Sequence, residues 1–291
     1  MNFTFLTVAR QGRNGWKRYL TAIALIIGTF SIVCLPLILM TTLIAGLPLE
    51  NSSYDAIFYD NFYGSFALIV LGTGSFLLGL FLAVTKIHQR NFLTLVSPNN
   101  SISWQRIIQG FSIFLALRIV AWILLYFLLP DRYILSFQAS TLFNFLLSFL
   151  VLPITATATA LWLAYLLQGL GLVIRNSLAL SILWGLLLGG IPYISNWNAL
   201  VLLNIFHYIF IAWIIFKDNR LELVMGLMIA DRYFTLLLKS GENAFNSPSI
   251  FQLADSASTL PSILYFLFVY GIFYYIFFGR KNNTLSPASP H

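Results

Sequence analysis

Apolar residues in this chain fall into long, nearly unbroken runs parted by short polar turns, rather than alternating or forming one-sided stripes. A helix needs about 20 apolar residues to cross a bilayer, where its backbone groups must all bond internally. The runs predict eight spans, near 19–47, 63–84, 107–129, 142–170, 177–194, 199–216, 221–238 and 260–278. Pro36 and Pro153 lie inside spans, where each removes a backbone donor and predicts a kink. Gly185 and Gly189 form a GxxxG pair in an apolar run, a pattern that lets two helices approach closely. The chain thus divides into a basic N-terminus (1–18), a single eight-span membrane domain (19–279) and a polar tail (280–291).

Composition sharpens this reading. The 291 residues are 59% hydrophobic and only 9% charged, against about 25% charged in soluble domains. That excludes a large soluble core and predicts an all-α polytopic membrane protein. Residues 1–18 are too polar for a cleavable signal, and the first apolar run is long enough to remain as a span. The lone Cys34 allows no internal disulfide. A net charge of +7 would suit nucleic acid if it formed a patch, but here it is spread through short loops. With the N-terminus cytoplasmic, the inner segments hold Arg10, Arg13, Lys17, Arg18, Lys86, Arg90, Arg106, Arg175, Lys217, Arg220, Arg280 and Lys281. Arg132 and Lys239 fall outside, and Arg118 and Arg232 within spans. This asymmetry follows the positive-inside rule and predicts both termini in the cytoplasm of a bacterial-type inner membrane or a thylakoid.

Local sequence adds a resemblance. Five stretches are similar to segments of the CPBP family, the bacterial relatives of the CAAX-prenyl proteases, and occur in that family's order. They are Gly12 to Leu20 (with Gly15-Trp16-Lys17-Arg18), Asn91 to Gly110, Tyr165-Leu166-Leu167-Gln168-Gly169, Leu221 to Leu227, and Ser247-Pro248-Ser249-Ile250-Phe251. The resemblance implies a CPBP-type bundle in which three motifs meet inside the bilayer. In such proteases a glutamate activates water, and histidine with asparagine or a second histidine completes the site.

Carried onto this chain, the paired glutamates of the first motif fall at Ala158 and Thr159, and its arginine at Leu163. The Phe-x-x-x-His motif falls at Trp184 and Leu188, and the final His-x-x-x-Asn at Met228 and Arg232. Ala158, Leu188 and Met228 cannot accept a proton, and a threonine hydroxyl is a poor base. His88, His207 and His291 have no metal-ligand spacing, and no serine or cysteine nucleophile motif is present. No catalytic residue, metal or cofactor is therefore expected, and the chain reads as a pseudoprotease.

The remaining polar positions have competing readings. Thr155, Thr157 and Thr159 either bond back to the preceding helical turn or line a former active-site cavity. Arg118, Asp231 and Arg232 are charges at membrane depth, which are costly and tend to pair or line a cavity. Asp231 and Arg232 are adjacent and point to different sides, so Arg118 with Asp231 is the expected pair, and snorkelling is the alternative. His207 is expected as a hydrogen-bonded packing residue, and Glu222 as a helix-start acid. The aromatic residues Tyr265, Phe266, Phe268, Tyr270, Phe273, Tyr274, Tyr275, Phe277 and Phe278 suggest a lipid-facing belt or a docking surface for a pigment, lipid or helix. The functional expectation is binding of another integral membrane protein or complex, aiding its assembly or stability, with membrane lipids and no nucleic acid as other partners. An active CPBP endopeptidase with a displaced site, or a small-solute carrier, are the alternatives.

Overall fold

The computed structural model describes residues 5–44, 62–128, 133–135, 142–196, 199–240, 251–253 and 259–279. Among the described residues eight α-helices lie on the apolar runs: α1 (Trp16–Ile44), α2 (Phe62–Leu82), α3 (Trp104–Leu128), α4 (Leu142–Leu170), α5 (Ser177–Gly185), α6 (Ala199–Asp218), α7 (Glu222–Leu237) and α8 (Thr259–Tyr274). Among the described residues, six are long and apolar enough to cross a membrane: those containing Trp16–Met40, Phe66–Ile87, Trp104–Leu128, Phe145–Leu170, Val201–Asp218 and Ser262–Gly279. The α7 helix has 16 residues, and α5 only nine before it passes through a π-turn at Leu186–Gly190 and a 3-10 segment at Ile191–Asn196. Pro192 accounts for the break: without an N–H it cannot close the α-helical bond to the Leu188 carbonyl. Helices α1 and α4 run through Pro36 and Pro153 without ending.

Burial explains why these helices need a lipid environment. Large apolar side chains such as Ile32, Phe127 and Val173 are 75%, 76% and 82% exposed, far more apolar surface than a water-soluble monomer tolerates. The core is formed instead by inward positions from every helix, among them Ile26, Leu80, Phe114, Ala160, Leu180, Ile211, Leu227 and Phe273. The aromatic face of α8 is only partly a lipid belt. Tyr270 and Phe273 are buried, and both pack edge-on against Phe114 of α3, while Phe268 and Tyr275 are exposed.

Two glycine contacts set the architecture. A Cβ at Gly110 of α3 would run into the Leu223 carbonyl of α7, and one at Gly226 would meet the Ile107 carbonyl and, at 2.6 Å, the Phe111 nitrogen. Only hydrogen at both positions lets these backbones touch, so α3 and α7 pair at very short range, and contacts from Ser103–Glu222 at their starts to Arg118–Asp231 farther along make them parallel. The GxxxG pair acts in the same way. Gly189 lies where a Cβ would be 2.6 Å from the Ile205 backbone nitrogen of α6, and Gly185 is packed against Ile209.

One end of the bundle gathers the basic segments. The Arg13 amide donates to the His88 carbonyl (2.8 Å), and Arg18 Nη1 to the Ile87 carbonyl (2.8 Å). Arg90 Nη1 donates to Gln168 Oε1 (2.8 Å), whose amide nitrogen donates to the Thr94 carbonyl (2.8 Å). The Leu221 amide donates to the Val96 carbonyl (2.8 Å), and Arg106 pairs with Asp218. Glu222 does start a helix, but it is fully buried and also accepts from the Ser103 amide (3.2 Å), so it ties the starts of α3 and α7 together. At the opposite end, three short strands form a sheet of order β1-β3-β2: β1 (Tyr133–Leu135), β2 (Leu238–Ser240) and β3 (Phe251–Leu253). Tyr133 sits opposite Leu253 in the antiparallel pair, and Leu238 opposite Phe251 in the parallel one. Three-residue strands have no detectable alternation. They pair because parallel α3 and α7 deliver β1 and β2 to the same end.

Candidate functional site

Between α4, the segment after α5, α6 and α7 lies a cavity of about 170 Å³. Its lining follows from helical spacing. Asn204, His207 and Tyr208 stand at i, i+3 and i+4 on α6, and Met228, Asp231 and Arg232 repeat that spacing on α7. Residues so spaced share one face of a helix. Thr159 of α4 and Tyr193 complete the wall. Three of the seven motif positions therefore meet here: Thr159, Met228 and Arg232. The other four do not. Ala158, Leu163 and Trp184 are buried in the packed core, and Leu188 is half-buried against it.

The lining groups are held in place from behind. Arg118 Nη2 lies 3.1 Å from Asp231 Oδ1, the pairing expected from the cost of lone charges at depth. The Arg118 guanidinium is also flanked by aromatic faces, 4.3 Å from the Phe234 ring centre and 5.3 Å from that of Tyr265. Such faces stabilise a desolvated cation. His207 Nδ1 is hydrogen-bonded to the Tyr270 hydroxyl, and the Tyr270 ring stacks on Phe266 at 4.0 Å. His207 is thus the bonded packing residue expected, and it also faces the cavity. Thr155 and Thr159 do bond back, to the Leu152 carbonyl (3.0 Å) and the Thr155 carbonyl (2.9 Å). Both readings of the threonines hold at Thr159, which bonds back and lines the cavity.

Charge distinguishes this cavity from an ordinary packing defect. Asp231 is the sole carboxylate of its lining and is engaged by Arg118. Arg232 is exposed and has no carboxylate partner among the described residues. The cavity and its backing thus hold two arginines and one aspartate, an excess of one positive charge. Asn204, Tyr193 and Tyr208 add hydrogen-bonding groups. Among the described residues no group of three or more His, Cys, Asp or Glu could hold a metal.

Sequence reasoning missed Tyr193, Asn204 and Tyr208. The signal for two of them was available, since Asn204 and Tyr208 share the helix face of His207. Tyr193 had none, because its position depends on the break after α5.

A second polar cluster lies at the basic end. His88 is fully buried, with Nδ1 3.2 Å from the Arg13 carbonyl and Nε2 3.0 Å from the Tyr165 hydroxyl. A carbonyl can only accept, so Nδ1 carries the proton and Nε2 accepts from tyrosine. Burial pushes the imidazole pKa below its usual value. The Arg13 carbonyl bond opposes that shift, while Arg90 and Arg18 reinforce it. This arrangement is structural: it fastens the start of α1 to the ends of α2 and α4.

Fold and site together define a multi-pass membrane protein with a positively charged cavity set into its helical bundle. The chain is similar to the uncharacterized protein YyaK of Bacillus subtilis (strain 168), with 29% identity over 187 residues. The match covers 60% of this chain and 62% of that protein, less than two thirds of its length. No protein-family model matches the chain, and no solved structure matches it.

Proposed function

We propose that this is a degenerate CPBP-type membrane protein, a pseudoprotease that binds another integral membrane protein and supports its assembly or stability. The observation that carries this reading is the meeting of Thr159, Met228 and Arg232 at one cavity. These are the motif positions carried over from three separate family residues, and none supplies a base. The eight apolar helices fit eight spans, with α3 and α7, both odd-numbered, running parallel. The basic segments joined at one end fit a cytoplasmic face with both termini, in a bacterial-type inner membrane or a thylakoid. At about 170 Å³ the cavity accommodates one side chain or head group rather than a whole polypeptide span. A partner would engage it by a single protruding group, with the exposed apolar helix faces supplying the remaining contact.

One observation favours the enzyme alternative. His207 and Asp231, far apart in sequence, share the cavity. Against it, Asp231 is already paired with Arg118, so this carboxylate is not poised to take a proton from water. The carrier alternative gains nothing from the fold, which offers no pair of matching broken helices among the described residues.

The test has two arms. Purified protein incubated with prenylated and transmembrane peptides should show no cleavage above background, and turnover that vanishes in His207→Ala would establish the enzyme instead. A photo-crosslinking residue at Tyr193, exposed at the cavity, should capture a membrane protein in native membranes. Deleting the present chain should lower that protein's abundance; unchanged abundance would refute an assembly role.

A further inference from the structure

The uncompensated charge of the cavity specifies what kind of group enters it. We propose that the partner presents an acidic side chain, an aspartate or glutamate of a transmembrane helix at bilayer mid-depth, which docks against Arg232. This rests on the partner-binding reading and adds the chemistry of the contact.

Depth is the first argument. Arg232 stands ten residues beyond Glu222, where α7 leaves the basic end. At 1.5 Å per residue that places it about 15 Å along the helix, near the middle of a hydrocarbon layer about 30 Å thick. A free cation there is expensive and calls for an anion at the same depth. Among the described residues no free carboxylate faces Arg232. The single lining carboxylate, Asp231, is engaged by Arg118.

The second argument is shape. Tyr193 and Arg232 line the cavity and are both exposed, so it opens toward the bundle surface. A neighbouring helix could lie on this surface with one carboxylate entering the opening. Asn204 and Tyr208 would offer donors to the carboxylate oxygens that Arg232 does not engage. A carboxylate in hydrocarbon is as costly as a lone arginine, so each group relieves the other. The head group of an anionic lipid fits less well, because it would have to leave the interface to reach this depth.

Synthetic transmembrane helices test the proposal with the full-length protein. Peptides of about 20 leucines and alanines, with a single central glutamate or glutamine, are labelled and mixed with labelled protein in phosphatidylcholine vesicles, and association is read by energy transfer. The glutamate peptide should bind about tenfold more tightly than its glutamine counterpart. Arg232→Gln should erase that difference, and Arg232→Lys should retain it. Asn204→Leu, which leaves the charge in place, should reduce it only in part. Equal binding of the two peptides, or a preference that survives Arg232→Gln, overturns the proposal. So does displacement of the glutamate peptide by a few mole per cent of phosphatidic acid, which would make the cavity a lipid site. If Arg232→Gln still crosslinks the cellular partner at the wild-type level through position 193, the acidic contact fails while partner binding stands.

Discussion

Removing either member of the Arg118–Asp231 pair tests whether buried charge holds this bundle together. At 3.1 Å and an effective dielectric constant near 20, the gross attraction is about 5 kcal/mol, much of it offset by the desolvation of both groups. Breaking such a pair from one side typically costs about 3–5 kcal/mol, because the other charge remains buried. The two sides differ here. After Asp231→Asn, Arg118 still has the rings of Phe234 and Tyr265 beside it, and cation–π attraction of about 0.5–2 kcal/mol softens the loss. After Arg118→Gln, Asp231 retains no comparable support: Arg232 lines the same cavity, but no ion pair joins it to Asp231 among the described residues. Arg118→Gln should therefore destabilise by about 3–4 kcal/mol and Asp231→Asn by about 2 kcal/mol. The double variant should recover about 1–3 kcal/mol of the summed loss. Equilibrium unfolding by sodium dodecyl sulfate titration, followed by tryptophan fluorescence, gives all three values. Losses that add within about 0.5 kcal/mol would refute the coupling, and an inverted order would refute the role of the rings.

Two further outcomes follow from packing and titration. Gly226→Ala should destabilise by at least about 1–3 kcal/mol in the same assay, because its methyl group meets the α3 backbone rather than a movable side chain. Gly74→Ala, with open space around the new carbon, should instead be neutral or gain about 0.5–1 kcal/mol from helix propensity; equal effects would remove the glycine contact as a cause. His88 has a folded-state pKa below its unfolded value of about 6.5, so the unfolded chain binds the extra proton. Its contribution to stability is complete above about pH 6.5 and is lost as pH falls from there toward the folded pKa, with a slope of at most about 1.4 kcal/mol per pH unit. Unfolding measured from pH 7.5 to 5 should show this loss, and His88→Gln should be less stable at pH 7.5 yet flatter below pH 6.5. An unchanged slope would show that other groups titrate.

The sequence by itself determined the helices and their class. Hydrocarbon forbids unpaired backbone groups, so each long apolar run had to be a helix, and among the described residues an α-helix lies on each run, six of them long and apolar enough to cross a membrane. It also located the charges too costly to remain alone, and the pairing of Arg118 with Asp231 follows from that cost. What it could not determine was anything dependent on which helices touch. Asn204, His207 and Tyr208 are legible as a polar face of α6, but that this face meets Thr159 and Arg232 depends on contacts between helices distant in sequence. Gly185 and Gly189 announced a close approach without naming α6 as the neighbour, and Gly110 and Gly226 stood out only as part of the resembling stretches, although they let the backbones of α3 and α7 touch. The strands at 133–135, 238–240 and 251–253 exist only because that pairing brings helix ends together. Periodicity is a property of one segment and can be read locally. Register between segments is decided by steric fit across the whole bundle, and the net charge of a cavity is known only once every wall is in place.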